Sequence, residues 1–260
     1  MCHRGGVHRK LCSQSPNESM GHLIQFATLT GVAFLAALVA GVTGFGGAAI
    51  LLPALVLAYG TRDAIPILTL VQLVGNGSRV WFNRRSLDLA VVKWFALGGV
   101  PTAVIGAMIF ARAPLGVLTR VLGAFLILLV IWRHLGRAPL RMPLRGFAVL
   151  GAGASFLSAL VGSVGPLMAP FFLAYGLTKT AYIGTEALTT VVMHLTKLVV
   201  YGQNSLLSVQ AMSVGLALSP VMILGSYLGK LVVERLPERV FTVLIEVTLV
   251  AAGILFLWRG

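Results

Sequence analysis

Two glycine-rich stretches carry the residue types and spacing best suited to binding chemistry. The first is Gly41-Val42-Thr43-Gly44-Phe45-Gly46-Gly47, and the second is Gly162-Ser163-Val164-Gly165-Pro166. A helix that starts at either one presents unpaired N–H groups and the positive end of its dipole. Gly46, Gly47, Gly162 and Gly165 would let an anion approach the backbone closely. Ser163 adds a hydroxyl, and a proline in the first turn is pre-organised for the helix. The competing reading is close helix packing, which small residues also permit.

The charged residues that fall inside apolar stretches form the second constellation. Arg79 and Lys197 occupy equivalent places in two halves of the chain, one turn after Asn76 and His194. Cations there can hold an anion or extend toward the membrane interface. Asn76, Ser78, His194 and Thr196 share their helical turns and could supply hydrogen bonds. Thr185 and Glu186 open a polar run that continues to Thr190, with Glu186, Thr189 and Thr190 on adjoining faces. Glu186 and Glu246 are proton-coupling candidates, because a carboxyl group removed from water can gain and release a proton during a cycle. The alternative for each is a structural ion pair, for example with Lys197 or Lys93. His194 has no second His or Cys at metal-ligand spacing, so no metal or cofactor is expected.

The elements that must position these residues are set by composition. The chain has 260 residues, 58% of them apolar and only 10% charged. Soluble domains run at about 45–50% apolar and about 25% charged. This excludes a soluble enzyme, a disordered chain and a coiled coil, and predicts an all-α polytopic membrane protein. The net charge of +13 is spread between apolar blocks, as in the cytoplasmic loops of membrane proteins, and does not mark a nucleic-acid partner. Cys2 and Cys12 both lie in the polar N-terminal stretch, so the body has no disulfide.

Residues 1–21 read as a polar N-terminal tail, with Met20 an alternative start of translation. Eight apolar blocks follow, beginning near residues 22, 64, 87, 114, 146, 181, 207 and 239. The fourth and eighth, blocks D and H, run over about 114–132 and 239–258. Residues 22–134 form a first transmembrane repeat, 135–145 a basic cytoplasmic loop and 146–260 a second repeat. The first and fifth blocks are too long for one crossing. At about 38 and 30 residues they would span about 57 and 45 Å as single helices, against a hydrocarbon core of about 30 Å. Each is interrupted by one of the glycine stretches, which predicts broken or re-entrant helices. Leu57-Ala58-Tyr59-Gly60 recurs as Leu173-Ala174-Tyr175-Gly176, so the halves read as duplicates. With hairpins at both breaks, most loop cations fall on one side. The excess grows if translation starts at Met20. Each half then has an odd number of full crossings, and the repeats are inverted.

The chain resembles the sulfite exporter TauE/SafE family over roughly residues 24–258. The resemblance rests on Gly44-Phe45-Gly46-Gly47 followed by Pro53, and on Gly162-Ser163-Val164-Gly165-Pro166 in the second half. Gly184-Thr185, the polar turn ending in Lys197, and Gly225-Ser226-Tyr227-Leu228-Gly229 support it. It implies a permease for sulfite, sulfonates or related organic anions. One departure is His194, where the family often carries Asn.

These readings combine into a secondary transporter of small anions working by alternating access, with a passive anion channel as the alternative. The expected setting is a bacterial inner membrane, crossed many times, with the lipid bilayer and a small anion as partners. A lipid-facing helix could also support a homodimer. An enzyme is not expected. Gly162-Ser163-Val164-Gly165 does not match the Gly-x-Ser-Gly setting of intramembrane serine proteases, and no other catalytic motif is present.

Overall fold

The computed structural model describes residues 16–114, 142–162 and 164–237, with Val240 and Val243. Ser163, Glu246, both cysteines, block D after residue 114 and most of block H lie outside the described residues. Among the described residues there are seven α-helices and no strand. They are α1 (Pro16–Thr43), α2 (Gly47–Phe82), α3 (Leu89–Arg112), α4 (Gly146–Val161), α5 (Gly165–Tyr175), α6 (Lys179–Gln203) and α7 (Val209–Arg235). Five of them are long and apolar enough to cross a membrane: α1, α2, α3, α6 and α7. The described part of α1 opens at Pro16, inside the stretch read as a polar tail.

Both glycine stretches break the backbone as their composition requires. Gly44, Gly46 and Gly162 adopt positive φ, a conformation that costs glycine nothing and other residues about 1–2 kcal/mol. Space reinforces the choice at Gly44, where a Cβ would lie 2.4 Å from the ring of buried Tyr182. Helix α1 ends before Gly44, whose N–H donates to Ala40 O at 2.9 Å, and α4 ends before Gly162, whose N–H donates to Ser158 O at 3.0 Å. The repeated Leu-Ala-Tyr-Gly motif marks a second pair of breaks. Gly60, at φ 76°, kinks α2, and Gly176, at φ 103°, closes α5.

Each first break makes a hairpin. In the first half, Gln25 Nε2 donates to Ala58 O at 3.4 Å, so the opening segment of α2 returns along α1. In the second half, Phe147 stacks edge-on with Phe172 and Tyr175, at 5.1 and 5.3 Å between ring centroids, so α5 returns along α4. The two breaks meet, with Gly165 lying against Phe45.

Close packing at glycines fixes the direction of the long helices. Gly98 lies against Ala148 and Ala152, and Gly106 against Phe156 and Ala159, so α3 and α4 run in parallel. Gly225 lies against Phe34, Ala37 and Leu38, and Gly229 against Gly41, so α1 and α7 are also parallel. The second segment of α2 runs with α7, since Gly215 meets Leu70 and Gly75 meets Met222. It runs against α6, because Arg79 pairs with Glu186, Gly184 meets Asn83 and Thr180 reaches Ser86. Each parallel pair joins one helix from each half. Outer faces expose large apolar side chains such as Leu57, Val149 and Leu216, while Gln72, Asn76, Arg79, Glu186, His194 and Lys197 are buried. This distribution suits lipid outside and a polar interior.

The packing of α3 on α4 predicts opposite outcomes for two glycines of one helix. A Cβ on Gly151 would stand 2.2 Å from Phe95 O, whereas one on Gly153 would meet nothing within 4 Å. Gly151→Ala is expected to destabilise the purified protein by about 1–3 kcal/mol through overpacking. Gly153→Ala is expected to be neutral or mildly stabilising, because alanine favours helix. Thermal unfolding in detergent checks both, and equal stability of the two variants would contradict the α3–α4 interface.

Candidate functional site

A cavity of about 40 Å³ lies where the two breaks meet. Gly46, Gly47 and Ala48 line it from the start of α2, and Val164 and Gly165 from the start of α5. Neither helix start has a side-chain cap. The first N–H groups of a helix have no partner within it, and water or a cap normally satisfies them. Here both starts open on the cavity. The ends of the preceding helices, Ala40 with Gly44 and Ser158 with Gly162, line it as well.

The two cations complete the helix ends. Arg79 Nη1 donates to Ala40 O at 3.0 Å and also to Gly44 O, while Nη2 donates to Asn76 Oδ1. Lys197 Nζ lies 3.0 Å from Ser158 Oγ and 3.4 Å from Ser158 O. Ala40 and Ser158 are separated by the same 118 residues as Arg79 and Lys197. Each of these two carbonyls thus accepts one backbone N–H and one cation. A cation at a helix C-terminus offsets the negative end of the dipole by about 0.3–1 kcal/mol at the surface and up to about 2 kcal/mol when partly buried.

The halves differ in their carboxylate. Glu186 Oε2 stands 3.6 Å from Arg79 Nη1, and Oε1 accepts from Thr190 Oγ1 at 3.1 Å. The pair is buried, with both side chains at most 5% exposed. Glu186 pairs with Arg79, not with Lys197 or Lys93. Lys197 is fully buried and has no carboxylate within 4 Å among the described residues. Glu186 Oε2 and His194 Nδ1 are buried without a hydrogen-bond partner, and both residues line the cavity.

The site residues read from sequence separate accordingly. Gly46, Gly47, Asn76, Arg79, Gly162, Gly165, Glu186 and His194 come together around the cavity. Lys197 reaches it through Ser158. Thr185 is turned elsewhere, its hydroxyl accepting from the Asp88 N–H at 3.0 Å, which ties the start of α3 to α6. Ser78 and Thr196 donate to carbonyls of their own helices. Ser158, Gln72, Met168 and Met193 also line the cavity and were not read from sequence. The 118-residue offset between Arg79 and Lys197 could have found Ser158, because it carries Ala40 onto it. Nothing in the pattern singles out Gln72 or the methionines.

The sulfite exporter TauE/SafE family model matches residues 29–256. No curated protein and no solved structure gives a significant match.

The ion pair predicts a non-additive mutation series. Arg79→Gln leaves a buried carboxylate and two carbonyls short of their partner, and is expected to cost about 3–5 kcal/mol. Adding Glu186→Gln removes the stranded charge, so the double variant is expected to recover part of that loss. A double-mutant cycle on unfolding free energy measures the coupling. Strict additivity would mean that the two side chains do not interact.

Proposed function

The chain belongs to the sulfite exporter TauE/SafE family, a family of membrane transporters, and on that premise we propose that it is a secondary permease for small anions. Sulfite, sulfonates or related organic anions are the substrate class, and alternating access is the mechanism. The observation that carries this reading is the convergence of two uncapped helix starts and Arg79 on one buried cavity. Helix N-termini bind anions through unpaired N–H groups and dipole. The N–H groups of Gly47, Ala48 and Gly165 supply the first contacts, and Arg79 the charge. The Ser158 hydroxyl, backed by Lys197, and His194 supply further donors. Glu186 is the proton-coupling group. A cavity of about 40 Å³ exceeds the roughly 10–15 Å³ that one water requires and suits a compact oxyanion.

The antiparallel course of α2 and α6, and the parallel pairs formed between halves, support inverted repeats; about eight crossings is the proposed total, blocks D and H included. Arg84, Arg85, Lys93, Arg145, Lys179, Lys230 and Arg235 lie toward one end of the bundle, where α2 and α7 finish and α3, α4 and α6 begin. Arg62 and Arg112 lie toward the other. The cation-rich end is the cytoplasmic one by the positive-inside rule. The setting is a bacterial inner membrane.

Reconstitution into proteoliposomes tests the reading. Sulfite flux is expected to saturate and to respond to an imposed pH gradient. Lys197→Ala and Arg79→Ala are each expected to lower flux or apparent affinity by about tenfold or more, the scale of losing hydrogen bonds to a charged group. Ohmic, uncoupled flux would indicate a channel instead. Intact transport and affinity in both variants would overturn the site.

A further inference from the structure

Proposed roles aside, the cavity holds an anion of its own. Glu186 Oε2 lies beside Arg79 at an ion-pair distance of 3.6 Å, with no hydrogen bond. The guanidinium commits Nη1 to Ala40 O and Gly44 O and Nη2 to Asn76. The carboxylate is fixed through its other oxygen by Thr190. An acid held by one oxygen, with the other directed at a cation in the cavity wall, occupies the place of a ligand.

We propose that Glu186 is a displaceable internal anion, and that a doubly charged oxyanion enters the cavity together with one proton, which Glu186 takes up. This rests on the anion-site reading above. Charge balance sets the stoichiometry. Among the described residues, and with both bases protonated, the buried charges of this region are Arg79, Lys197 and Glu186. With Glu186 ionised they leave one positive charge uncompensated, and with Glu186 protonated they leave two. A monoanion therefore balances the site as it stands. A dianion balances it only when Glu186 becomes a neutral acid, and the displaced carboxylate would otherwise face the ligand across Arg79. Like charges in one buried site disfavour full ionisation. The proton comes from water on the open side and leaves with the ligand.

Among the described residues, few other groups could claim that proton. Arg79 faces Glu186 from α2. On α6 itself, Tyr182 lies one turn before and His194 two turns after. Helices α1, α4 and α5 contribute no acid, His, Lys or Arg to the cavity wall. Asp88, from the start of α3, is engaged by the N–H groups of Ala90 and Val91. Lys197, one turn further on and held to Ser158 of the cavity wall, is the third titratable group on that helix, so His194 and Lys197 are the competitors that a test must separate.

Calorimetry on the purified full chain does so, with two probes of fixed charge across the neutral range: thiosulfate as dianion and methanesulfonate as monoanion. Titration in buffers of different ionisation enthalpy reads the protons taken up. Thiosulfate is expected to take up one proton, with affinity weakening about tenfold per unit rise in pH while Glu186 is ionised in the free protein. Methanesulfonate is expected to take up none. Glu186→Gln is expected to abolish the thiosulfate proton and its pH slope, and His194→Gln to keep both. Thiosulfate binding without proton uptake by the natural chain would overturn the proposal alone, and needs no variant to fold. Proton uptake that survives Glu186→Gln, or vanishes in His194→Gln, would also overturn it. Failure of both probes to bind would overturn it together with the anion-site reading.

Discussion

A polypeptide that leaves the helical path inside a membrane still has to satisfy its N–H and C=O groups, and little else in this structure is independent of that constraint. Each hairpin creates two helix ends at the break. The carbonyl ends are served by cations from the next long helix, Arg79 for α1 and Lys197 for α4. The N–H ends carry no side-chain cap among the described residues. That asymmetry turns a structural necessity into a site. Glu186 Oε2 and His194 Nδ1 apart, the groups that remain available at the cavity are donors, and the nearby charges are mostly positive.

Duplication supplies the frame and divergence the chemistry. At an offset of 118 residues, Ala40 and Arg79 match Ser158 and Lys197, and Asn76 matches His194. The same offset places Glu186 on Leu68, so the carboxylate belongs to one half only. It is spent across the pseudo-symmetry, on the other half's arginine. The resulting cavity has two nearly matching N–H walls, but one cation is compensated and the other is not. A site with matched walls and unmatched charge can treat its two faces differently.

Much of this was legible in the residues. Over-long apolar blocks interrupted by glycine could only be broken helices, because membrane thickness is fixed and backbone reach is fixed. The Leu-Ala-Tyr-Gly repeat, 116 residues apart, disclosed the duplication, and Asn76 with His194 and Arg79 with Lys197 gave the 118-residue offset that finds Ser158. The partners of the cations were not legible. Spacing presents Arg79 as a ligand for anions, while its hydrogen bonds go to the carbonyls of Ala40 and Gly44 and to Asn76. Hydropathy and spacing do not state which carbonyl a long side chain will reach, nor that Glu186 would choose Arg79 over lysines equally plausible by sequence. Thr185 shows the same limit. Its hydroxyl joins two helices ends-on, a contact 97 residues distant along the chain.

The pairing of helices across the two halves also bears on biosynthesis. Gly41 of α1 closes against Gly229 of α7, so the first long helix waits for nearly the last described one. At about 5–20 residues per second, the ribosome needs roughly ten to forty seconds to make the intervening chain. During that interval the first hairpin sits in lipid without its final neighbour. Its exposed backbone is nonetheless partly satisfied, because Arg79 lies in the same half and reaches the α1 carbonyls without help from residues still to be translated. Lys197 does the same for the second hairpin. Each half can thus enter the bilayer with its break already tied at the carbonyl end, and the seam between halves can close last.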